Sequence, residues 1–270
     1  MSACVAPPSI PAPWEATEPQ SVEPSTALPD VPATTDWTRI GSSVRGKAIL
    51  ATTVGSGPRR IYIIGGIHGD DPECPAVADK LPELLGQTPG LEHSTVRIVR
   101  DMNPDGTSAK MRTNTRKVDL ERNWPSKDYQ KNVNGSGDRA GSELETAAVY
   151  ADAIKFKPDI VIVFQSANLS PTVTYLGSGR MLAYEFASSA RRTDPLWRFN
   201  PEPRMRPQGS IESLFGTDLG KTVMRVEFQK KQTADVNALA VLAGLKGVDG
   251  HPPIADSPAP VASKANPARK

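Results

Sequence analysis

Two stretches, "RRIYIIGGI" at 59–67 and "DIVIVF" at 159–164, are apolar almost without interruption. Such runs, lacking polar alternation, are expected of strands buried on both faces. Further strands are predicted over "KAILATTVG" (47–55), "STVRIVRDM" (94–102) and "KTVMRVEFQ" (221–229). Apolar residues at helical spacing predict helices between them. The first runs through "AVADKLPELLG" after Pro72, with Pro82 interrupting or ending it. The others cover 142–156, stopping before Pro158, then 181–192 and 234–246. A polar segment at 103–141 separates two of these units, and a connection that long inside a compact domain is usually functional. Strands alternating with helices predict an α/β fold: a three-layer sandwich with a mixed, mostly parallel central sheet. Sites in such folds lie beyond the carboxyl ends of the strands. His68, Gln165 and Glu227 each fall at or near such an end.

The ends of the chain break the pattern. Residues 1–34 and 248–270 are rich in Pro, Ala and Ser, hold much of the proline total of 26, and show no apolar period. They read as disordered tails around one folded domain at 35–247. Ser2-Ala3-Cys4 is similar to the end of a bacterial lipoprotein cleavage box that lacks its apolar part. A lipid anchor at Cys4 and an envelope or periplasmic location are one reading, an ordinary tail the other. No apolar run of about 18 residues exists, so no membrane span is expected. A net charge of +2 gives no bulk attraction to nucleic acid. Two cysteines, Cys4 and Cys74, make neither a disulfide framework nor a CxxC metal site, and Cys74 is expected to be a buried apolar residue.

Candidate chemistry begins at "IIGGIHGDDPE" (63–73), where an apolar run ends on one of the chain's three histidines and meets three acids. In chain order there follow "MNPDG", "RTNTRKVDLERNWP", "SELETAAV", "PDIVIVFQSA" and "GSIESLFGTDLGKTVMRVEF". Together with the opening "IGSSVRGKAI", this series resembles the zinc carboxypeptidase family, and most closely its murein tripeptide amidase-like branch, over about residues 40–245. The resemblance implies a zinc held by His, Glu and His with a water in the fourth position, a glutamate that shuttles the proton, and arginines for the substrate carboxylate and the oxyanion.

Carried over position by position, the resemblance makes His68 the first metal ligand. Asp71 stands where glutamate is expected, and Gln165 where the second histidine belongs. Asp is one methylene shorter than Glu, and the Gln carbonyl is a neutral oxygen donor where zinc favours imidazole, thiolate or carboxylate. His93, before a strand and so at the opposite end of the sheet, and His251, in the second tail, are the alternative nitrogen donors. Glu227 matches the catalytic base, or else is a strand acid paired with Arg225 or Lys230. Arg112 matches the oxyanion-side arginine and Arg122 the carboxylate-binding one, or else both are solvated loop cations. Glu121 replaces the asparagine beside Arg122 and, with Asn114, completes the expected substrate-binding set. Two functions follow. One is a pseudopeptidase that binds small peptides or peptidoglycan fragments without stable metal. The alternative is a zinc-dependent carboxypeptidase or amidase that cleaves a peptide or γ-glutamyl amide with Glu227 as general base.

Overall fold

A computed structural model describes residues 36–201 and 207–251. The first tail, with Cys4 and the lipid anchor that was one reading of it, and nearly all of the second tail lie outside the described residues. The elements are β1 (Thr38–Ser42), β2 (Ala48–Val54), β3 (Arg59–Ile64), α1 (Glu73–Gln87), β4 (Ser94–Val99), α2 (Pro104–Ala109), α3 (Leu144–Phe156), β5 (Ile160–Ala167), β6 (Thr172–Leu176), α4 (Arg180–Thr193), β7 (Arg198–Phe199), β8 (Thr222–Gln229) and α5 (Ala234–Asp249). A 3-10 turn covers Leu120–Arg122, and a π-helical segment covers Glu212–Asp218.

The strands form one sheet in the order β1-β2-β4-β3-β5-β8-β6-β7. The centre, β4-β3-β5-β8, is parallel, whereas β1, β2 and β6 join antiparallel to their inner neighbours. Alternate residues of the central strands face opposite layers. Ile61, Ile63, Ile162, Phe164, Val226 and Phe228 pack under α1, α4 and α5. Tyr62, Ile64, Val161, Val163 and Val223 pack under α3, Trp124 and the π-helical segment. Burial on both faces explains why these strands read as unbroken apolar runs.

Two expectations are corrected. Pro82 neither interrupts nor ends α1, which continues to Gln87. Pro82 is buried with Leu81 and Leu85 on the helix's inner side, and that packing outweighs the hydrogen bond the ring forgoes. Helix α5 runs on to Asp249, past the expected helix end at 246. Short β6 and β7 and the single-turn α2 carry too little periodicity to be read in advance. Among the described residues no helix is long and apolar enough to cross a membrane.

Candidate functional site

The site lies beyond the carboxyl ends of β3, β5 and β8. After β3 the chain turns through Gly65 and Gly66 into His68. Gly66 adopts φ +63, and a Cβ there would come within 2.3 Å of Asp101 Oδ1. A Cβ on Gly69 would come within 2.0 Å of the Gly106 carbonyl carbon, so the turn lies flat against α2. Asn103 caps α2 by accepting from the Gly106 amide at 3.0 Å and donates to the Ile67 carbonyl at 3.3 Å. These contacts fix His68, whose side chain is fully enclosed.

The His68 ring sits among carboxylates. Nδ1 is 3.5 Å from Asp71 Oδ2, and Nε2 is 3.3 Å from Asp119 Oδ1 and 3.5 Å from Glu121 Oε2. Burial alone would lower its pKa, but hydrogen bonding to Asp119, Asp71 and Glu121 outweighs burial and raises it to about 10. Burial pushes the other way on the acids too. For Asp71, Asp119 and Glu121 alike it favours the neutral form, and contact with His68 overcomes it, holding each carboxyl below its usual range.

Every one of these acids also meets a cation. Arg112 reaches Asp119 Oδ2 with Nε at 3.2 Å and Glu121 Oε2 with Nη2 at 3.0 Å, while its Nη1 lies 3.3 Å from His68 Nδ1. Arg122 Nε is 3.5 Å from Asp119 Oδ2. Lys230 Nζ is 3.5 Å from Asp71 Oδ1, and the Ser166 amide donates to Asp71 Oδ2 at 3.3 Å. Arg225, on β8, bridges Glu121 Oε1 at 2.8 Å and Glu212 Oε1. Gln165 donates its amide Nε2 to the same Glu121 oxygen at 2.8 Å.

The expected site residues thus fall as follows. His68, Asp71, Gln165, Arg112 and Glu121 converge on one network, with Arg122 at its edge. Glu227 is in register with Gln165 across the β5–β8 ladder and shares the face of Arg225, two residues earlier. Asn114 is fully buried and committed within its loop. It donates to Glu143 at 2.7 Å and accepts from the Arg116 and Val118 amides at 3.0 Å, which makes it an anchor of the loop. Glu121, expected in the substrate-binding set, is a buried hub of the network, 3% exposed. His93 lies before β4, at the other end of the sheet as expected, and His251 follows α5. The reading missed Asp119, Glu212 and the partners of Arg225 and Lys230. Asp119 is three residues before Arg122, and that spacing was the one available signal.

The sequence-expected zinc set is His68, Asp71 and Gln165. It has a single imidazole, whose Nδ1 faces the Arg112 guanidinium. Lys230 occupies one oxygen of Asp71, and Gln165 turns its amide N–H to Glu121. His68, Asp119 and Glu121 offer one ligand atom each within 4.8 Å of one another, but their carboxylates are held by Arg112, Arg122 and Arg225.

The family profile described as zinc carboxypeptidase matches residues 28–237. Among solved structures, the murein-tripeptide amidase of Escherichia coli O157 is similar at 22% identity. That match covers 86% of this chain and 98% of the other, with a TM-score of 0.60. Bovine thrombin-activatable fibrinolysis inhibitor, in complex with tick carboxypeptidase inhibitor, matches at 16% identity over 79% of this chain and 88% of its own, with a TM-score of 0.66. A metallo-carboxypeptidase from Burkholderia cenocepacia matches at 18% identity over 79% and 63%, with a TM-score of 0.60. A search of curated protein sequences returned no match.

Proposed function

The chain belongs to the zinc carboxypeptidase family, and from that premise we propose that it is a pseudopeptidase, binding small carboxylate-bearing peptides, peptidoglycan fragments among them, without stably holding zinc. One observation carries this reading: the carboxylates that would grip a metal already face the protein's own cations, Arg112 at Asp119 and Glu121 and Lys230 at Asp71. Charge compensation is therefore internal, and a zinc ion would have to displace a guanidinium and an ammonium already in place.

Arg112, Arg122 and Lys230 nonetheless keep 46%, 26% and 41% of their side chains exposed. These partly exposed cations suit a peptide carboxylate, with the planar guanidinium of Arg122 offering paired donors. The buried acids behind them fix the arginines in place. They also disfavour ligands of high negative charge, so a zwitterionic peptide is preferred. The murein tripeptide named for the Escherichia coli relative is a ligand of that class.

A second reading, hydrolysis of a peptide or γ-glutamyl amide with Glu227 as base, is favoured by the gathering of His68, Asp119 and Glu121 within 4.8 Å. Two measurements separate the two. Titration calorimetry with a murein tripeptide should give saturable binding that Arg122→Ala weakens at least tenfold, about 1.4 kcal/mol. Elemental analysis should find no zinc that depends on His68, and the double variant Asp71→Glu, Gln165→His should acquire it. Zinc at one per chain in the wild type, lost in His68→Ala and accompanied by tripeptide cleavage that Glu227→Gln abolishes, would establish the enzyme instead.

A further inference from the structure

At the opposite end of the sheet a second group of metal-type side chains meets. Glu92 and His93 precede β4, and Asp249 closes α5. One ligand atom from each lies within 4.8 Å of the other two. His93 Nδ1 is 3.3 Å from Asp249 Oδ2, and the His93 amide donates to the same oxygen at 3.3 Å. Asp249 is 4% exposed, yet its Oδ1 has no hydrogen-bond partner among the described residues. A buried carboxylate oxygen without a donor is costly, and a coordinated cation satisfies it.

Arg59 lends positive charge to Asp249 and Lys246 to Glu92, yet the buried Asp249 Oδ1 stays without a hydrogen bond among the described residues. The carboxylate stands at the carbonyl end of α5, where the helix dipole is negative. Arg59 donates from Nη1 to the main-chain carbonyls of Val248 and of Asp249, the latter at 3.2 Å, and so fixes the backbone that presents the carboxylate. Glu92 Oε1 accepts from the Gly90 amide at 2.9 Å, which pins the loop that carries the carboxylate. The His93 side chain is 69% exposed, leaving room for entry and for water ligands.

We propose that His93, Asp249 and Glu92 form a surface site for a divalent first-row transition metal ion, clasping the end of α5 to the start of β4. One imidazole with two carboxylates suits zinc, nickel or copper, whereas magnesium and calcium take oxygen alone. The site is independent of the pocket beyond β3 and of the function proposed for it.

The test is calorimetric titration of the full chain, stripped by chelator, with Zn²⁺ and Ni²⁺, and with Ca²⁺ as control. One saturable Zn²⁺ or Ni²⁺ site is expected. It should weaken at least about tenfold in His93→Ala and Glu92→Gln, and persist in His68→Ala. Bound Ni²⁺ should raise Tm in the wild type and not in His93→Ala. His93 is largely exposed, so its variant should fold. A Ni²⁺-dependent loss of the His93 imidazole signals in NMR supplies a second readout. Absence of saturable binding, binding that survives His93→Ala, or equal affinity for Ca²⁺ would each overturn the proposal, leaving an ordinary ion pair.

Discussion

Substituting Glu121 with Gln keeps the shape of the side chain and removes one charge from the centre of the network. In the wild type, Oε1 accepts from Gln165 and Arg225 at 2.8 Å each, and Oε2 accepts from Arg112 at 3.0 Å beside His68. The residue is 3% exposed, so water does not replace what is lost. Removing one partner of a buried ion pair costs about 3–5 kcal/mol, because the other charge stays buried. Arg225 keeps Glu212 and Arg112 keeps Asp119, which places the expected cost near the lower end, about 3 kcal/mol. For a chain of this size that corresponds to a fall in Tm of about 6–12 °C, at 2–4 °C per kcal/mol. Urea denaturation monitored by far-UV circular dichroism, with calorimetric Tm alongside, reads the effect. Adding Arg225→Met should recover part of the loss, since a hydrophobic replacement of both partners is far less costly than an orphaned charge. A loss below about 1 kcal/mol, typical of a surface pair, would mean that Glu121 is solvated and is no hub.

Three other outcomes follow from the geometry. Gly69→Ala should cost more than about 2 kcal/mol and displace His68, because its Cβ has no space against Gly106; a variant as stable as the wild type would contradict the close approach. Asp101 should contribute a stability slope with pH: burial raises its folded pKa from 3.8 to about 6, so its own contribution is greatest below about pH 4 and falls as pH rises to about 6. Chemical denaturation of wild type and Asp101→Asn across pH 3.5–7.5, the range that spans both of these pKa values, should show the slope in the difference between them, about 3 kcal/mol in all. Trp124→Ala should cost about 3–5 kcal/mol through loss of a fully buried ring packed against Phe215, read by the same denaturation.

The parts legible in the sequence were those that bury apolar side chains on both faces. β3 and β5 announced themselves as unbroken runs, and α3 and α5 by spacing and by their flanking residues. Short β6 and β7 pack too few residues to leave a period, and Pro82 misled because its packing is a tertiary effect. Residues at strand ends, such as His68 and Glu227, were found from position and resemblance together. Their partners were not. Arg225 looked like a neighbour for Glu227, but its two acids come from a turn 104 residues away and from a segment 13 residues away. Such pairing is decided by which loops cover the sheet, and no local pattern encodes it.

The order of the sheet has a consequence for how the chain is made. β8 sits between β5 and β6, so β6, which among the described residues pairs with β7 and β8, has no inner neighbour until residues some fifty positions later have been synthesised. During synthesis the half-built sheet presents the open flank of β5 to solvent, a ready template for another strand. A nascent chain stalled before residue 222 should therefore stay protease-sensitive and recruit chaperones, and protection should arrive abruptly once β8 clears the ribosome.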